Sequence, residues 1–234
     1  MQPYPVMEST TAASEVQVSF ILKVYNWMTM GLALTALVSL AIEMVIPEVR
    51  IIMLSNPFIF YGLLILELAI VWGLTAAINK MPAIVATLIF LCYAALNGVT
   101  FSIIFLVYQL GSIAYTFFVT AAMFGVTSVF GYVTKMDLSR LGGIFMMALI
   151  GLIIASIGNI FLHASNLEWI ISYAGVIIFV GLTAYDTQKI KRMSVGIESS
   201  SEEGGKASIM GALSLYLDFI NLFLFLLRIM GRRK

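Results

Sequence analysis

Seven uninterrupted apolar runs, each about as long as a bilayer is thick, constrain this chain more than any motif in it. They lie at approximately 24–46, 57–79, 82–108, 112–133, 142–163, 168–190 and 208–230. A helix crosses the hydrocarbon core with about 20 residues, each rising about 1.5 Å. Only helices and closed barrels satisfy their own backbone polar groups in lipid, and no run alternates with period two as barrel strands do. Charged residues make up 11% of the chain and its mean hydropathy is +1.03, whereas a soluble domain carries about 25% charged residues. So much apolar surface cannot be hidden in one water-soluble core. The expected fold is an all-α membrane protein of seven transmembrane helices. Cys92, the single cysteine, lies inside an apolar run, which excludes disulfide frameworks and Cys-based zinc sites. A net charge of +1 with no basic stripe gives no sign of a nucleic-acid partner.

Two segments fall outside the runs. Residues 1–20 are polar and mixed, without the charged start, apolar core and cleavage site of a cleaved signal. They read as a short flexible tail ahead of a transmembrane domain at 21–234. Residues 191–207 are polar and Gly/Ser-rich, a surface loop. With no extramembrane domain, function must live in the bundle and at its rims.

Orientation follows from the basic residues. Lys23, Lys80, Lys135, Arg140, Lys189, Lys191, Arg192 and Lys206 fall on one side; Arg50 falls on the other, together with the end of the chain. The positive-inside rule then puts the N-terminus in the cytoplasm. Seven spans put Arg228, Arg232, Arg233 and Lys234 outside, which conflicts with the rule. Either the tail is tolerated there or the last run re-enters instead of spanning; seven full spans are the expectation.

The last run holds the sharpest anomaly. Asp218 stands near its middle, where a carboxylate costs about 2.5–3.5 kcal/mol even on the mildest scale. Gly211, Ser214, Asp218, Asn221 and Arg228 are spaced to share one helix face, a polar stripe. Two further acids lie away from span ends, Glu67 in the second run and Asp186 in the sixth. Glu43 and Arg228 lie nearer the ends, within reach of the interface by snorkelling. Carboxylates are hard ligands suited to Ca²⁺ and protons. Two of them sharing a dry site cannot both ionise cheaply, so a proton or a cation between them relieves the repulsion and the two compete. The chemistry is that of a pH-sensitive cation site. The plainer alternative is a set of structural acids hydrogen-bonded to neighbours such as Asn97, Asn159, Thr183 or Asn221.

Enzymatic readings find little support. Tyr185-Asp186 matches half of an intramembrane aspartyl protease, but no Gly-x-Gly-Asp precedes Asp218. A rhomboid-like protease needs Gly-x-Ser-Gly and a histidine in the bundle; the only histidine, His163, is at a span end. Neither a His-Glu-x-x-His motif nor a phosphate-cradling loop occurs. The chain is expected not to be an enzyme and to need no cofactor.

Other features read as packing. Gly151-x-x-x-Ala155, Ala155-x-x-x-Asn159 and Ala121-x-x-x-Gly125 are expected to let helices approach closely, and Met146-Met147 to fill the core. Gly98-Val99-Thr100 in the third run and Gly181-Leu182-Thr183 in the sixth hint at a three-plus-three repeat.

The stretches Gly181-Leu182-Thr183-Ala184-Tyr185-Asp186-Thr187-Gln188-Lys189-Ile190 and Leu215-Tyr216-Leu217-Asp218-Phe219-Ile220-Asn221-Leu222-Phe223 resemble the signature segments of the Bax inhibitor-1 family, also called the transmembrane Bax inhibitor motif family. The short tail, seven runs and Lys135-Met136-Asp137-Leu138-Ser139 resemble its bacterial branch, over about 20–234. The resemblance implies two layers of three helices around a central seventh, in a bacterial inner membrane. It also implies a pH-sensitive Ca²⁺ leak, with Ca²⁺ the ion carried and no cofactor. Asp186 and Asp218 match the family's di-aspartyl sensor and gate, and Glu67 an acidic pore residue. Ser214 and Asn221 would line the pore beside them, and Asp186, Asp218 and Glu67 are the candidate Ca²⁺ ligands. One departure is visible: where strongly latched members carry an arginine cluster, this chain reads Ala77-Ile78-Asn79-Lys80. Lys80 is then the candidate latch, a point charge without arginine's bidentate fork. The competing expectation is a non-conducting protein that modulates another membrane protein, a protease or a stress or death regulator, through residues 1–20 and the 191–207 loop.

Overall fold

Each apolar run becomes helical, and local hydrogen bonds mark several of the boundaries. A computed structural model describes residues 6–234, with side chains from Val16 onward. Of the polar tail expected at 1–20, residues 1–5 lie outside the described residues. Helix α1 runs Val6–Val45, α2 Glu48–Ser55, α3 Pro57–Ala77, α4 Ala83–Phe101, α5 Ile104–Val107, α6 Leu110–Val133, α7 Ser139–Leu162, α8 Ser165–Met193 and α9 Glu202–Met230. Among the described residues there is no strand, only an isolated bridge between Tyr108 and Arg233. Seven of the helical stretches are long and apolar enough to cross a membrane, from Val16–Val45 to Glu202–Met230.

The caps explain the boundaries. Asn56 precedes Pro57 and accepts the Phe58 N–H at 3.1 Å, so α3 starts with a side-chain cap and a proline that lacks only an orphan donor. Helix α4 likewise follows Pro82, and its Ala83 N–H is taken by Glu202 Oε1 at 2.6 Å. Asp137 Oδ1 accepts the Ser139 N–H at 3.0 Å at the start of α7. At the end of α7, His163 adopts a left-handed conformation (φ 51°). Asn159 closes that turn, its backbone oxygen accepting from His163 and its Oδ1 from Ala164.

Two features went unforeseen. The loop after the first span contains α2, pinned by an ion pair between Arg50, only 7% exposed, and Glu43 of α1. Glu43 therefore ends in a partner and not in free solvent. The third span breaks after Phe101 and resumes as the single turn α5.

The chain divides into two compact units. The first comprises residues 1–106 and 191–213 and so holds the first three spans; the second comprises 107–190 and 214–234 and holds the next three. Within the first unit, α1 meets α4 at Gly98, where a Cβ would lie 2.7 Å from the Thr35 carbonyl oxygen. Thr35 Oγ1 donates to the Ala94 carbonyl at 2.8 Å across the same contact. In the second unit, Phe117 and Phe124 of α6 stand edge-on to Phe219 of α9 at 5.4 and 5.5 Å between centroids. Phe179 of α8 stacks on Phe225 of α9 at 5.9 Å.

Burial ranks the spans. In its most apolar window α9 is 67% buried, against 6–44% for the other six. The last span is the most buried of the seven, and its 29 residues run unbroken. At about 1.5 Å per residue that length exceeds a hydrocarbon core of about 30 Å, which fits a full span and not a re-entrant one.

Two packing expectations are corrected. A Cβ on Gly151 or Gly125 would meet nothing within 4 Å, so neither serves a close helix contact. Close approaches occur instead at Gly98, Gly131, Gly142, Gly175 and Gly181. Met146 and Met147 are 50% and 67% exposed and face outward. Lipid is as apolar as a core, so hydrophobicity alone does not distinguish the two.

Candidate functional site

Asp218 sits on α9, the most buried span, and is only 4% exposed. Its Oδ2 has no hydrogen-bond partner among the described residues. A buried, unpartnered carboxylate oxygen is expensive to keep, and such outliers are where function is sought. Asp186 of α8 lies close enough for its charge to act on Asp218, and Lys189 faces Asp186 from the next turn of the same helix. Both aspartates belong to the second unit. The structure thus brings together the pair named from the sequence.

Local sequence explains how α8 is held there. Gly131 of α6 packs directly on the Ala184 backbone, and Gly142 of α7 lies against the Tyr185 ring, where a Cβ would stand 2.5 Å away. Gln188, buried at 7% exposure, grips the α6–α7 connection with both ends of its amide. Its Oε1 accepts the Leu138 N–H at 2.9 Å, and its Nε2 donates to the Met136 carbonyl at 2.8 Å. Ala184, Tyr185 and Gln188 therefore fix the helix on both sides of Asp186.

The polar stripe of α9 is half right. Ser214, Leu217, Asn221 and Leu224 form its half-buried face, while Asp218 is turned inward beside them. Asn221 Nδ2 donates to the Leu217 carbonyl at 2.8 Å, within its own helix.

Glu67 forms a separate buried site in the first unit. Helix α3 exposes most of its length, and Glu67 and Leu74 are its two buried residues. Thr100 Oγ1 of α4 donates to Glu67 Oε1 at 2.5 Å, and Tyr93 of α4 lies within reach of its charge. Thr100 was missed because a threonine inside an apolar run carries no signal of its own. The four residues named as possible partners of the acids serve the backbone instead. Asn97 donates to the Tyr93 carbonyl at 3.2 Å and Thr183 to the Phe179 carbonyl at 2.7 Å, while Asn159 and Asn221 act as described above.

Lys80 ends a short 3-10 turn, Ile78–Lys80, and is exposed; among the described residues it forms no ion pair. Among the described residues no group of three or more His, Cys, Asp or Glu side chains gathers to hold a metal ion.

The basic tail, the least explained part of the sequence, is tied down. Arg228 Nε and Arg233 Nη2 lie 4.0 and 3.6 Å from Glu168 Oε1 at the start of α8. Arg232 accepts from the Gln109 N–H at 3.0 Å and donates to Ser112 Oγ at 2.8 Å, and the Lys234 N–H reaches the Val107 carbonyl at 2.9 Å. Arg228 therefore ends in a partner, as Glu43 does.

Comparison with known proteins shows the family. Residues 17–234 match the family model Bax1-I, described as "Inhibitor of apoptosis-promoting Bax1". The chain is 47% identical to the inner membrane protein YbhL of Escherichia coli strain K12, covering 100% of both chains. It is 41% identical to an uncharacterized protein of Borreliella burgdorferi, covering 92% of both chains. With the uncharacterized protein RP147 of Rickettsia prowazekii it shares 42% identity, over 92% of this chain and 90% of the relative. A family match over nearly the whole chain, together with seven membrane-spanning helices, makes the chain an integral inner-membrane protein that belongs to the Bax1-I family.

Proposed function

We propose that this protein is a pH-sensitive leak pathway for Ca²⁺, a channel or exchanger, gated by Asp186 and Asp218. The observation that carries the reading is Asp218: an acid on the most buried span, 4% exposed, with an unpartnered oxygen and a second carboxylate acting on it. Two such groups repel when both are ionised. A proton on the pair, or a divalent cation between them, removes the repulsion, so protons and Ca²⁺ compete for one place. Ser214 and Asn221 offer oxygen and amide groups along the half-buried face beside it, and Glu67 with Thr100 offers a second acidic station. Lys80 is the candidate latch. A leak requires no catalytic step and no resident cofactor.

The basic residues of the connections support a cytoplasmic N-terminus. The tail conflicts less than its four charges suggest, because Arg228 and Arg233 share Glu168. The reading as a non-conducting partner of another membrane protein is less favoured. Its expected contact loop is engaged within the chain, Lys23 Nζ donating to the Ser199 carbonyl at 2.7 Å and Gln17 to the Lys191 carbonyl at 3.3 Å.

The test is Ca²⁺ flux into liposomes carrying the purified protein, measured across pH. Asp186→Asn and Asp218→Asn should each flatten the pH profile. A wild-type profile in both variants removes the pair as the sensor, and no flux from the wild type removes the leak itself.

A further inference from the structure

In the second unit, α6, α7 and α8 leave a groove of about 420 Å³. That volume is within the range of about 300–1,000 Å³ usual for ligand sites. Its walls are apolar: Val126 and Phe130 of α6, Leu141 and Phe145 of α7, Val180 and Ala184 of α8. Val126 and Phe130 are 73% and 51% exposed, so the groove opens outward. In a membrane-spanning bundle that direction is the acyl-chain region. One end of the groove reaches the α6–α7 connection, through Leu138 and Leu141. There Lys135 and Arg140 stand exposed, and among the described residues neither forms an ion pair. The only acid in the connection, Asp137, accepts the Ser139 N–H just ahead of α7. The connection is held in place by the Gln188 amide, so the two cations sit on a fixed frame. It also lies on the side where most of the chain's basic residues gather.

The geometry points to a binding site for one anionic phospholipid, with an acyl chain in the α6–α7–α8 groove and the phosphate between Lys135 and Arg140. Charge complementarity selects the occupant. A zwitterionic lipid fills the groove equally well but gains less from two unpaired cations, whereas basic pockets between helices on the cytoplasmic side favour anionic head groups. The site does not depend on the calcium reading. It stands beside Asp186 only in the sense that Ala184 lines the groove two residues away on the same helix.

The experiment is native mass spectrometry of the full-length protein released from detergent, with phosphatidylglycerol or phosphatidylcholine of identical acyl chains added. One phosphatidylglycerol should stay bound, and phosphatidylcholine should be lost at the same activation energy. Lys135→Ala and Arg140→Ala should each weaken phosphatidylglycerol binding about fivefold, and together roughly thirtyfold. Both side chains are exposed, so the fold is expected to survive, and circular dichroism checks that it does. Val126→Trp, which fills the groove from its exposed rim, should abolish retention while both cations remain. Equal retention of the two lipids, or unchanged binding in the double alanine variant or in Val126→Trp, overturns the proposal. Displacement by soluble glycerol phosphate at concentrations matching phosphatidylglycerol also overturns it, because the site would then bind a free phosphate.

Discussion

Gly131 of α6 lies so close to Ala184 of α8 that a Cβ on it would overlap the Ala184 carbonyl oxygen. The obstacle is backbone and cannot rotate away, so Gly131→Ala has to push the two helices apart. Overpacking of this kind costs about 1–3 kcal/mol, occasionally more, and it displaces the segment that carries Asp186. Gly151→Ala is the control, since a methyl there meets nothing within 4 Å. Thermal melting in detergent should show a clear loss for the first variant and none for the second. Equal melting temperatures would mean that α6 and α8 are not packed on Gly131.

The contrast between these glycines shows where sequence reading stops. Small residues four apart mark a face on which close approach is feasible. They do not say whether another helix lies on that face, and Gly151 and Gly125 have open space before them. The spans themselves were legible, because a bilayer demands uninterrupted apolar length and few other requirements produce it. Asp186 and Asp218 were legible for the complementary reason, being costly where they stand. Thr100 and Gln188 were not: each is ordinary in composition and becomes specific only through the Glu67 oxygen or the Met136 and Leu138 backbone that folding brings to it. Helix α2 was hidden in a loop, with Arg50 read as a lone outer charge and not as the partner of Glu43.

Gln188 should matter more than its composition suggests. Gln188→Leu keeps much of the volume but strands the Leu138 N–H and the Met136 carbonyl, both of which now use the amide. Stranded buried polar groups cost about 1–3 kcal/mol each, though the loop can recover part of this by reaching water. A net loss of about 2 kcal/mol is expected on the same basis. Gln188→Glu should be no milder, because it keeps the acceptor for Leu138 but turns a buried carboxylate oxygen on the Met136 carbonyl. Chemical denaturation comparing the two tests the order; a leucine variant as stable as wild type would mean the amide grip contributes nothing.

Arg50 and Glu43 form the other engaged pair. Arg50 is 7% exposed, so Glu43→Gln leaves a buried guanidinium with a neutral partner. Breaking a fully buried pair from one side costs about 3–5 kcal/mol. The Glu43 side chain is 29% exposed, so water screens part of that, and about 1–2 kcal/mol is expected after this discount. Replacing both residues, Glu43→Leu with Arg50→Met, should recover most of the loss, because the desolvated charge goes with its partner. Melting temperatures of the single and double variants form the cycle. A double variant no better than the single would assign the stability to packing by the arginine stem.

The chain's end makes two different kinds of contact, and these should respond differently. The ion pairs of Arg228 and Arg233 to Glu168 involve side chains 41–65% exposed, and exposed pairs contribute about 0–1 kcal/mol. Glu168→Gln should therefore change stability little. The backbone contacts hold more firmly, with the Gln109 N–H on the Arg232 carbonyl and the Lys234 N–H on the Val107 carbonyl. Removing residues 231–234 should speed hydrogen exchange at the Gln109 amide while leaving the interior of α9 protected. Exchange at Gln109 that is already fast in the full chain would show that the tail does not clasp the 107–112 connection in solution.

Asp218 yields a prediction with the opposite sign. It is buried, one oxygen is unpartnered, and the Asp186 carboxylate acts on it. Asp218→Asn removes the charge while keeping the shape, so it should stabilise the protein, by about 0.5–2 kcal/mol if it resembles other relieved functional sites. The repulsion exists only when both carboxylates are ionised. The gain should accordingly be larger at about pH 8 than at about pH 5, because the repulsion weakens as falling pH favours protonation. The same substitution should flatten the pH dependence of Ca²⁺ flux, so stability and regulation are expected to move in opposite directions. Asp186→Asn should give the same trend with a smaller gain, because Asp186 is less buried and keeps Lys189 beside it. Melting temperatures for both variants across pH decide the matter. A destabilised Asp218→Asn at both pH values would mean that the carboxylate is a satisfied structural group, and the case for a gate would lose the observation on which it rests.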